Sequence, residues 1–98
     1  MTAPIPDIRH ESDERHGVFF IEREGRRVAE LTYRMSGADA TVDHTWVDPR
    51  LRGGGEAKSL VEAAVAWARS GHVKLVPMCS YVRSVFDRTP AYSDVRKG

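Results

Sequence analysis

The chain has 98 residues, of which 41% are hydrophobic and 30% are charged. These proportions are typical of one folded domain, which we predict to span residues 1–98. The formal net charge of +1 argues against a strongly basic surface for nucleic acid or for an anionic membrane. The sequence has no apolar run of signal-peptide or membrane-spanning length, and its one cysteine, Cys79, cannot form an internal disulfide. We therefore expect a cytoplasmic protein.

The first half of the chain has the residue pattern of antiparallel strands joined by tight turns. Residues 1–7 are predicted to be a loose start. Runs rich in β-branched and aromatic residues then predict strands over 8–11, 16–23, 28–35 and 40–47. Glu24-Gly25 and Ser36-Gly37-Ala38 are predicted to be the turns on either side of the third strand.

The spacing of the apolar residues changes after Pro49. From Ala57 to Ala68 they recur at the spacing of one helical face, and Gly71 is placed to end the helix. The second half is predicted to form a helix over 57–71, a short strand over 73–77, a second helix over 80–88 and a basic tail over 93–98. The two strands around the first helix should be parallel neighbours. The predicted fold class is α+β, a mostly antiparallel twisted sheet with one parallel pair and two helices packed on it.

Three consecutive glycines, Gly53-Gly54-Gly55, lie between the last predicted strand of the first half and the helix. Each glycine costs about 0.5–1 kcal/mol inside a regular element, so such a run normally meets a backbone requirement. Free N–H groups at a helix N-terminus form an anion site, and a pyrophosphate would fit there, with Arg50, Arg52 or Lys58 screening its charge. A flexible loop that only caps the helix is the alternative. The Gly-x-x-x-x-Gly-Lys-Ser phosphate loop does not fit the segment, because two of its glycines are missing.

Arg52, Gly55 and Ala57 match the pattern Arg/Gln-x-x-Gly-x-Gly/Ala. The segment resembles the coenzyme A loop of the Gcn5-related N-acetyltransferases. The segments Asp43-His44-Thr45 and Val76-Pro77-Met78-Cys79-Ser80-Tyr81-Val82 further resemble the small, YjdJ-type branch of that superfamily. This resemblance covers roughly residues 16–92, and it implies a fold with the predicted order of elements and the transfer of an acetyl group from acetyl-CoA to an amine.

The resemblance also implies which residues contact the cofactor. The loop amides would hold the pyrophosphate, and Trp46-Val47 and Pro77-Met78 would flank the pantetheine arm. The implied cofactor-binding residues are Trp46, Val47, Arg52, Gly53, Gly54, Gly55, Glu56, Ala57 and Lys58. Glu56 stands where the family usually has an aliphatic residue, and because its charge would repel a pyrophosphate, we expect its side chain to point to solvent.

Cys79 and His44 are the candidate catalytic residues. Cys79 stands just before a predicted helix, whose N-terminus favours a thiolate, and the resemblance places a cysteine here beside the acetyl group. It could be an acyl-accepting nucleophile, or it could shape the site and relay a proton. His44 could take a proton from an ammonium acceptor, or it could be structural. Strand alternation predicts that His44 shares a face with Ala40, Val42 and Trp46, and that Asp43 points the other way. Tyr81 is a possible acid for the thiolate, and no metal site is expected.

A non-catalytic binding module for coenzyme A or acyl-coenzyme A is the main alternative function. Such a module would need the loop but neither Cys79 nor His44, and both are present. The 14 acidic residues balance the 15 basic ones, which argues against a nucleic-acid-binding protein. The predicted acceptor is an amine, either a small molecule or a protein lysine, and its site is expected to be shallow.

Overall fold

The computed structural model describes residues 8–51 and 53–98. Their strands and helices are β1 (Ile8–Ser12), β2 (His16–Arg23), β3 (Arg26–Ser36), β4 (Asp39–Val47), α1 (Glu56–Gly71), β5 (Lys74–Pro77) and α2 (Ser80–Arg88). Short 3-10 turns occupy Pro49–Leu51 and Pro90–Val95. The predicted loose start at residues 1–7 and the loop residue Arg52 lie outside the described residues.

The five strands form one sheet in the order β1-β2-β3-β4-β5. The first four are antiparallel, and β5 pairs with β4 in parallel. Glu24 and Gly25, with φ of 53° and 77°, form the tight turn between β2 and β3, as the turn chemistry predicted. The predicted fold class is confirmed.

The core lies on one face of the sheet, beneath both helices. Alternate residues of β3 and β4, such as Leu31 and Val42, pack there against Leu60 and Val65 of α1 and Phe86 of α2. The opposite face, which we call the open face, carries Phe20, Glu30, Thr32 and Arg34 and the exposed end of β4. On it the guanidinium of Arg27 lies 4.0 Å from the centre of the Phe20 ring and covers it.

An aromatic cluster fixes the edge strand β1 to the helical layer. The His10 ring stacks on Phe19 at 4.0 Å between centroids and meets the edge of Trp67. Its Nε2 atom is hydrogen-bonded to the hydroxyl of Tyr33. Gly17 is required here, because a Cβ atom at this position would overlap the Tyr33 ring. Partial burial lowers the pKa of His10 below its ordinary value.

The C-terminal segment packs on the sheet, although its last residues were predicted to be a basic tail. Val95 is buried in the core with 4% of its surface exposed. The Lys97 amide donates a hydrogen bond of 2.8 Å to the carbonyl of Leu75 in β5. The guanidinium of Arg69 holds the carboxylate of Asp94 at 2.9 and 3.0 Å. The segment is therefore part of the folded domain.

Candidate cofactor and catalytic site

The glycine loop presents its backbone at the start of α1. Gly53 and Gly55 both have a φ of 89°, a left-handed conformation that residues with a Cβ atom rarely adopt. Gly55 is the N-cap of α1 and offers no side chain to the helix. The first helical hydrogen bond runs from the Ser59 amide to the Gly55 carbonyl, at 2.9 Å. The amides of Glu56, Ala57 and Lys58 precede it and can face a ligand.

Gly54 is required for a different reason. A Cβ atom at this position would lie 2.6 Å from Oε1 of Glu56 and 3.1 Å from the carbonyl oxygen of Leu51. The loop therefore closes directly over the Glu56 side chain. Two of the three glycines are needed for their conformation, and the middle one is needed for space.

The expectation that Glu56 points to solvent is wrong. The residue is 8% exposed, and its Oε2 lies 3.2 Å from Nη1 of Arg23 at the end of β2. Its Oε1 is buried and has no hydrogen-bond partner among residues 8–51 and 53–98. Arg23 supplies the opposite charge that holds the carboxylate inward, and the helix N-terminus favours a negative charge at this position.

A cleft of about 440 Å³ opens beside the loop. It is lined by Val47, Leu51, Gly53, Gly55, Glu56, Ala57, Lys58 and Tyr81. The last residue pair between β4 and β5 is Val42 with Pro77, whereas β4 continues to Val47. The end of β4 therefore has no strand neighbour on that side, and the cleft lies where the two strands separate. Most of the predicted cofactor residues are thus brought together, while Trp46, Gly54 and the Pro77-Met78 pair do not line the cleft.

Cys79 lies where β5 meets α2 and is the N-cap of that helix. Its Sγ is 3.0 Å from Oγ1 of Thr45 in β4. Burial acts to raise the pKa of the thiol, but hydrogen bonds from the Thr45 hydroxyl and from the Tyr81 and Val82 amides outweigh it, so the pKa is lower than usual. Sequence reasoning gave Thr45 no role of its own, although it belongs to the Asp43-His44-Thr45 motif.

Tyr81 lies two residues after Cys79 and lines the cleft beside the glycine loop. Burial raises the pKa of its phenol. The hydroxyl is therefore protonated at neutral pH and can donate a hydrogen bond or a proton to a group in the cleft.

His44 lies on the open face. Its side chain is 52% exposed, and its Nε2 is 3.5 Å from Oε2 of Glu30 on the neighbouring strand. Trp46 is paired with Glu30 across the strands and is 37% exposed. Sequence reasoning missed Glu30, because its neighbours come from another strand.

The predicted face of His44 is wrong with respect to Ala40 and Val42, although Trp46 does share the face of His44. Ala40 and Val42 are buried in the core, whereas both Asp43 and His44 contact open-face side chains of β3. The hydroxyl of Thr32 donates a hydrogen bond of 2.7 Å to Asp43. The register between β3 and β4 shifts at this point, so that one extra residue enters β4 and the alternation is reversed beyond it. His44 and Asp43 therefore share the open face.

A groove of about 560 Å³ crosses the open face beside His44. Its lining includes Val18, Glu30, Thr32, Arg34 and Asp43. It is open to solvent and carries charged groups of both signs, so it can receive a polar molecule. Because Asp43 and Thr32 belong to its lining, the groove reaches the strand that also carries Thr45 and His44.

Neither a membrane span nor a metal cluster is found in the parts of the chain that the structure describes. No helix there is long and apolar enough to cross a bilayer. No group of three His, Cys, Asp or Glu side chains there is arranged to hold a metal ion.

The sequence profile of a family described as GCN5-related N-acetyl-transferase matches residues 18–95. Comparison with curated protein sequences gave no match. Among solved structures, a GCN5-like protein from Staphylococcus aureus is 32% identical, with a TM-score of 0.71. That match covers 92% of this chain and 88% of the other.

More distant structures share the fold. The ribosomal-protein-S18-alanine N-acetyltransferase of Escherichia coli is 18% identical with a TM-score of 0.65, and the match covers 79% of this chain but 53% of that enzyme. YhhK of E. coli, solved with coenzyme A bound, is 18% identical with a TM-score of 0.57, covering 85% and 66% of the two chains. With the family profile spanning most of the chain, these findings identify it: the protein belongs to the GCN5-related N-acetyltransferase family and is an acyltransferase.

Proposed function

We propose that the protein transfers the acetyl group of acetyl-CoA directly to an amine while both substrates are bound. The observation that carries this proposal is the glycine loop, whose first-turn amides line a cleft at the point where β4 and β5 separate. Backbone amides at a helix N-terminus suit a pyrophosphate, and the separated strands suit an extended arm. The coenzyme A bound to the distant relative YhhK supports the same type of cofactor here.

The cofactor would lie along the cleft with its pyrophosphate at Gly53–Lys58 and its arm beside Val47 and Tyr81. Arg52 is proposed as a further contact by sequence alone, since it lies outside the described residues. Trp46 is proposed to face the acceptor instead of the arm, because it is on the open face with His44.

The chemistry needs a neutral amine and a stabilised leaving thiolate. The amine nitrogen attacks the thioester carbonyl and a carbon–nitrogen bond forms. The carbon–sulfur bond then breaks, the nitrogen releases one proton as the amide forms, and coenzyme A leaves as a thiolate that takes up one proton. A strand amide can stabilise the oxyanion. His44 is exposed enough to accept the proton of an incoming ammonium, and Tyr81 or Cys79 can supply the proton to the thiolate. We propose that Cys79 shapes the site, since a direct attack needs no covalent intermediate.

The acceptor would approach across the open face, where the groove reaches Asp43 and Thr32. This route leaves the cleft to the cofactor, so both substrates can be bound together. The groove is open, which agrees with the shallow acceptor site expected from the sequence. A free thiol in the site fits the reducing cytoplasm, where we expect the protein to act.

Turnover of acetyl-CoA against a panel of amines, with detection of the released thiol, tests the proposal. We expect thiol release that depends on the amine, and acetylated amine in equal amount. Coenzyme A binding without amine-dependent turnover would instead favour a non-catalytic binding module. Absence of binding at millimolar coenzyme A would contradict the assignment of the loop.

A further inference from the structure

A second cleft, of about 330 Å³, lies next to the proposed cofactor cleft, and Leu51 lines both. Its lining residues are Arg23, Glu24, Arg26, Val28, Asp48, Arg50 and Leu51. Three guanidinium groups thus face two carboxylates, and one of the guanidiniums, that of Arg23, is already paired with Glu56. The groups that remain are Arg26, Arg50, Asp48 and Glu24.

Asp48 holds two guanidinium groups side by side. It is 8% exposed and accepts hydrogen bonds from the backbone amide, Nε and Nη2 of Arg50 at 2.9, 3.2 and 2.8 Å. The Nη2 of Arg26 approaches Oδ2 of Asp48, the oxygen that also accepts from Nη2 of Arg50, at 3.4 Å. The hydrogen bonds from Arg50 lower the pKa of Asp48 to about 2. The carboxylate is therefore charged at neutral pH.

The two guanidiniums keep donors for a ligand. The side chains of Arg26 and Arg50 are 60% and 68% exposed. A guanidinium has five N–H donors, and Asp48 takes two of the side-chain donors of Arg50 and one of Arg26. The two arginines and Asp48 together carry one net positive charge, and Glu24, which also lines the cleft, brings the sum of the four groups to zero. A phosphate would therefore be held through the free guanidinium donors and not through an excess of positive charge. Paired planar guanidiniums on a fixed support are suited to a phosphate.

We propose that Arg26 and Arg50, oriented by Asp48, bind the 3′-phosphate of coenzyme A, and that the protein thereby discriminates coenzyme A from dephospho-coenzyme A. The inference rests on the proposed function, which places the pyrophosphate at the glycine loop. The ribose that follows the pyrophosphate carries the 3′-phosphate, so that phosphate lies within one sugar of the loop. The Pro49–Leu51 turn leads from Asp48 toward the loop, and the cleft that holds the two arginines shares Leu51 with the proposed cofactor cleft.

Calorimetric titration with coenzyme A and with dephospho-coenzyme A tests the inference, because the two ligands differ only in the 3′-phosphate. At low ionic strength we expect the wild type to bind coenzyme A about tenfold more tightly, and the preference to shrink as salt is added. In the double variant Arg26→Gln/Arg50→Gln the two affinities should become equal. The affinity for dephospho-coenzyme A should stay at its wild-type value.

Arg69→Gln is the matched control, since Arg69 is also an exposed arginine held by an aspartate, Asp94, in another part of the molecule. This variant should keep the tenfold preference. Inorganic phosphate and adenosine 3′,5′-bisphosphate serve as competitors. If the bisphosphate displaces coenzyme A far better than inorganic phosphate does, the site recognises the phosphate as part of the nucleotide.

Equal wild-type affinities for the two ligands would overturn the inference and leave the proposed function intact. A preference that survives in the double variant would show that other residues hold the 3′-phosphate. If neither ligand binds at millimolar concentration, the proposed function fails and the inference fails with it. The wild-type comparison decides between these outcomes even if the double variant does not fold.

Discussion

The two sides of the candidate site are built in different ways. The loop side, from Gly53 to Lys58, offers mainly backbone amides, and its shape depends on glycine conformations and on the buried Glu56 beneath them. The open face offers exposed side chains, among them His44 and Trp46, on a regular sheet. A backbone site tolerates few substitutions, whereas exposed side chains can change without altering the fold. On the proposed roles of the two sides, we expect a cofactor site that is fixed and an acceptor site that can vary.

The largest effect is expected from Gly55→Asp on the loop side. The new side chain would be strained at a φ of 89°, and its charge would stand where the pyrophosphate is proposed to bind. Coenzyme A affinity, measured by calorimetry, should fall on the order of 10³-fold. Gly37→Asp is the matched control, since Gly37 also has a positive φ, of 61°, and open space. An equal loss of affinity in both variants would contradict the comparison.

Cys79→Ala should reduce turnover on the order of 10²-fold without abolishing it, because positioning and proton relay are lost but direct attack remains. Intact-protein mass spectrometry after incubation with acetyl-CoA alone should show no acetyl adduct on the wild type. A kinetically competent adduct that disappears in the variant would instead make Cys79 a nucleophile. Thr45→Val should reduce the turnover rate less than Cys79→Ala does, since the Thr45 hydroxyl contacts the sulfur of Cys79.

On the open face, His44→Gln should lower turnover at neutral pH by about 30-fold. This is less than general bases usually contribute, because water can reach the half-exposed site. The loss should shrink at high pH, where the free amine is neutral without a base. Coenzyme A affinity should not change. A variant with the wild-type rate at every pH would reduce His44 to a structural residue.

The smallest effect is expected at His10, which lies away from both the loop side and the open face, and it concerns the stability of the fold. Its lowered pKa means that the folded protein binds the proton less readily than the unfolded chain does. The free energy of unfolding should therefore be highest above the ordinary histidine pKa of about 6.5, and it should decrease as the pH falls below that value. Urea unfolding at pH 7.5 and pH 5 measures this decrease. His10→Phe should reduce it, because the stacking on Phe19 remains but the proton site is gone.

The fold could be predicted from the sequence because its signals are local. The run of β formers in β2, the alternation in β3, the helical spacing from Ala57 to Ala68 and the glycine run each depend on neighbouring residues. The family followed from a resemblance in residue types at fixed spacing, and the family profile confirms it.

The features that were missed depend on contacts between distant residues. Glu56 is buried because Arg23, 33 positions away, pairs with it. The face of His44 changes because β3 and β4 shift register near Asp43, which no alternation within β4 reveals. Val95 is buried because the segment folds back onto β5. Sequence patterns describe a strand or a helix well, but they do not specify which partner it meets.

The contact between position 54 and Glu56 restricts how the sequence of the loop can evolve. A side chain at position 54 would collide with the Glu56 carboxylate at 2.6 Å. A residue larger than glycine at 54 needs either a shorter residue at 56 or a shift of the buried Glu56 carboxylate. We therefore expect the two positions to co-vary among related sequences, with glutamate at 56 accompanied mainly by glycine at 54. Where 56 is short, 54 should be free to vary as far as the nearby carbonyl of Leu51 allows.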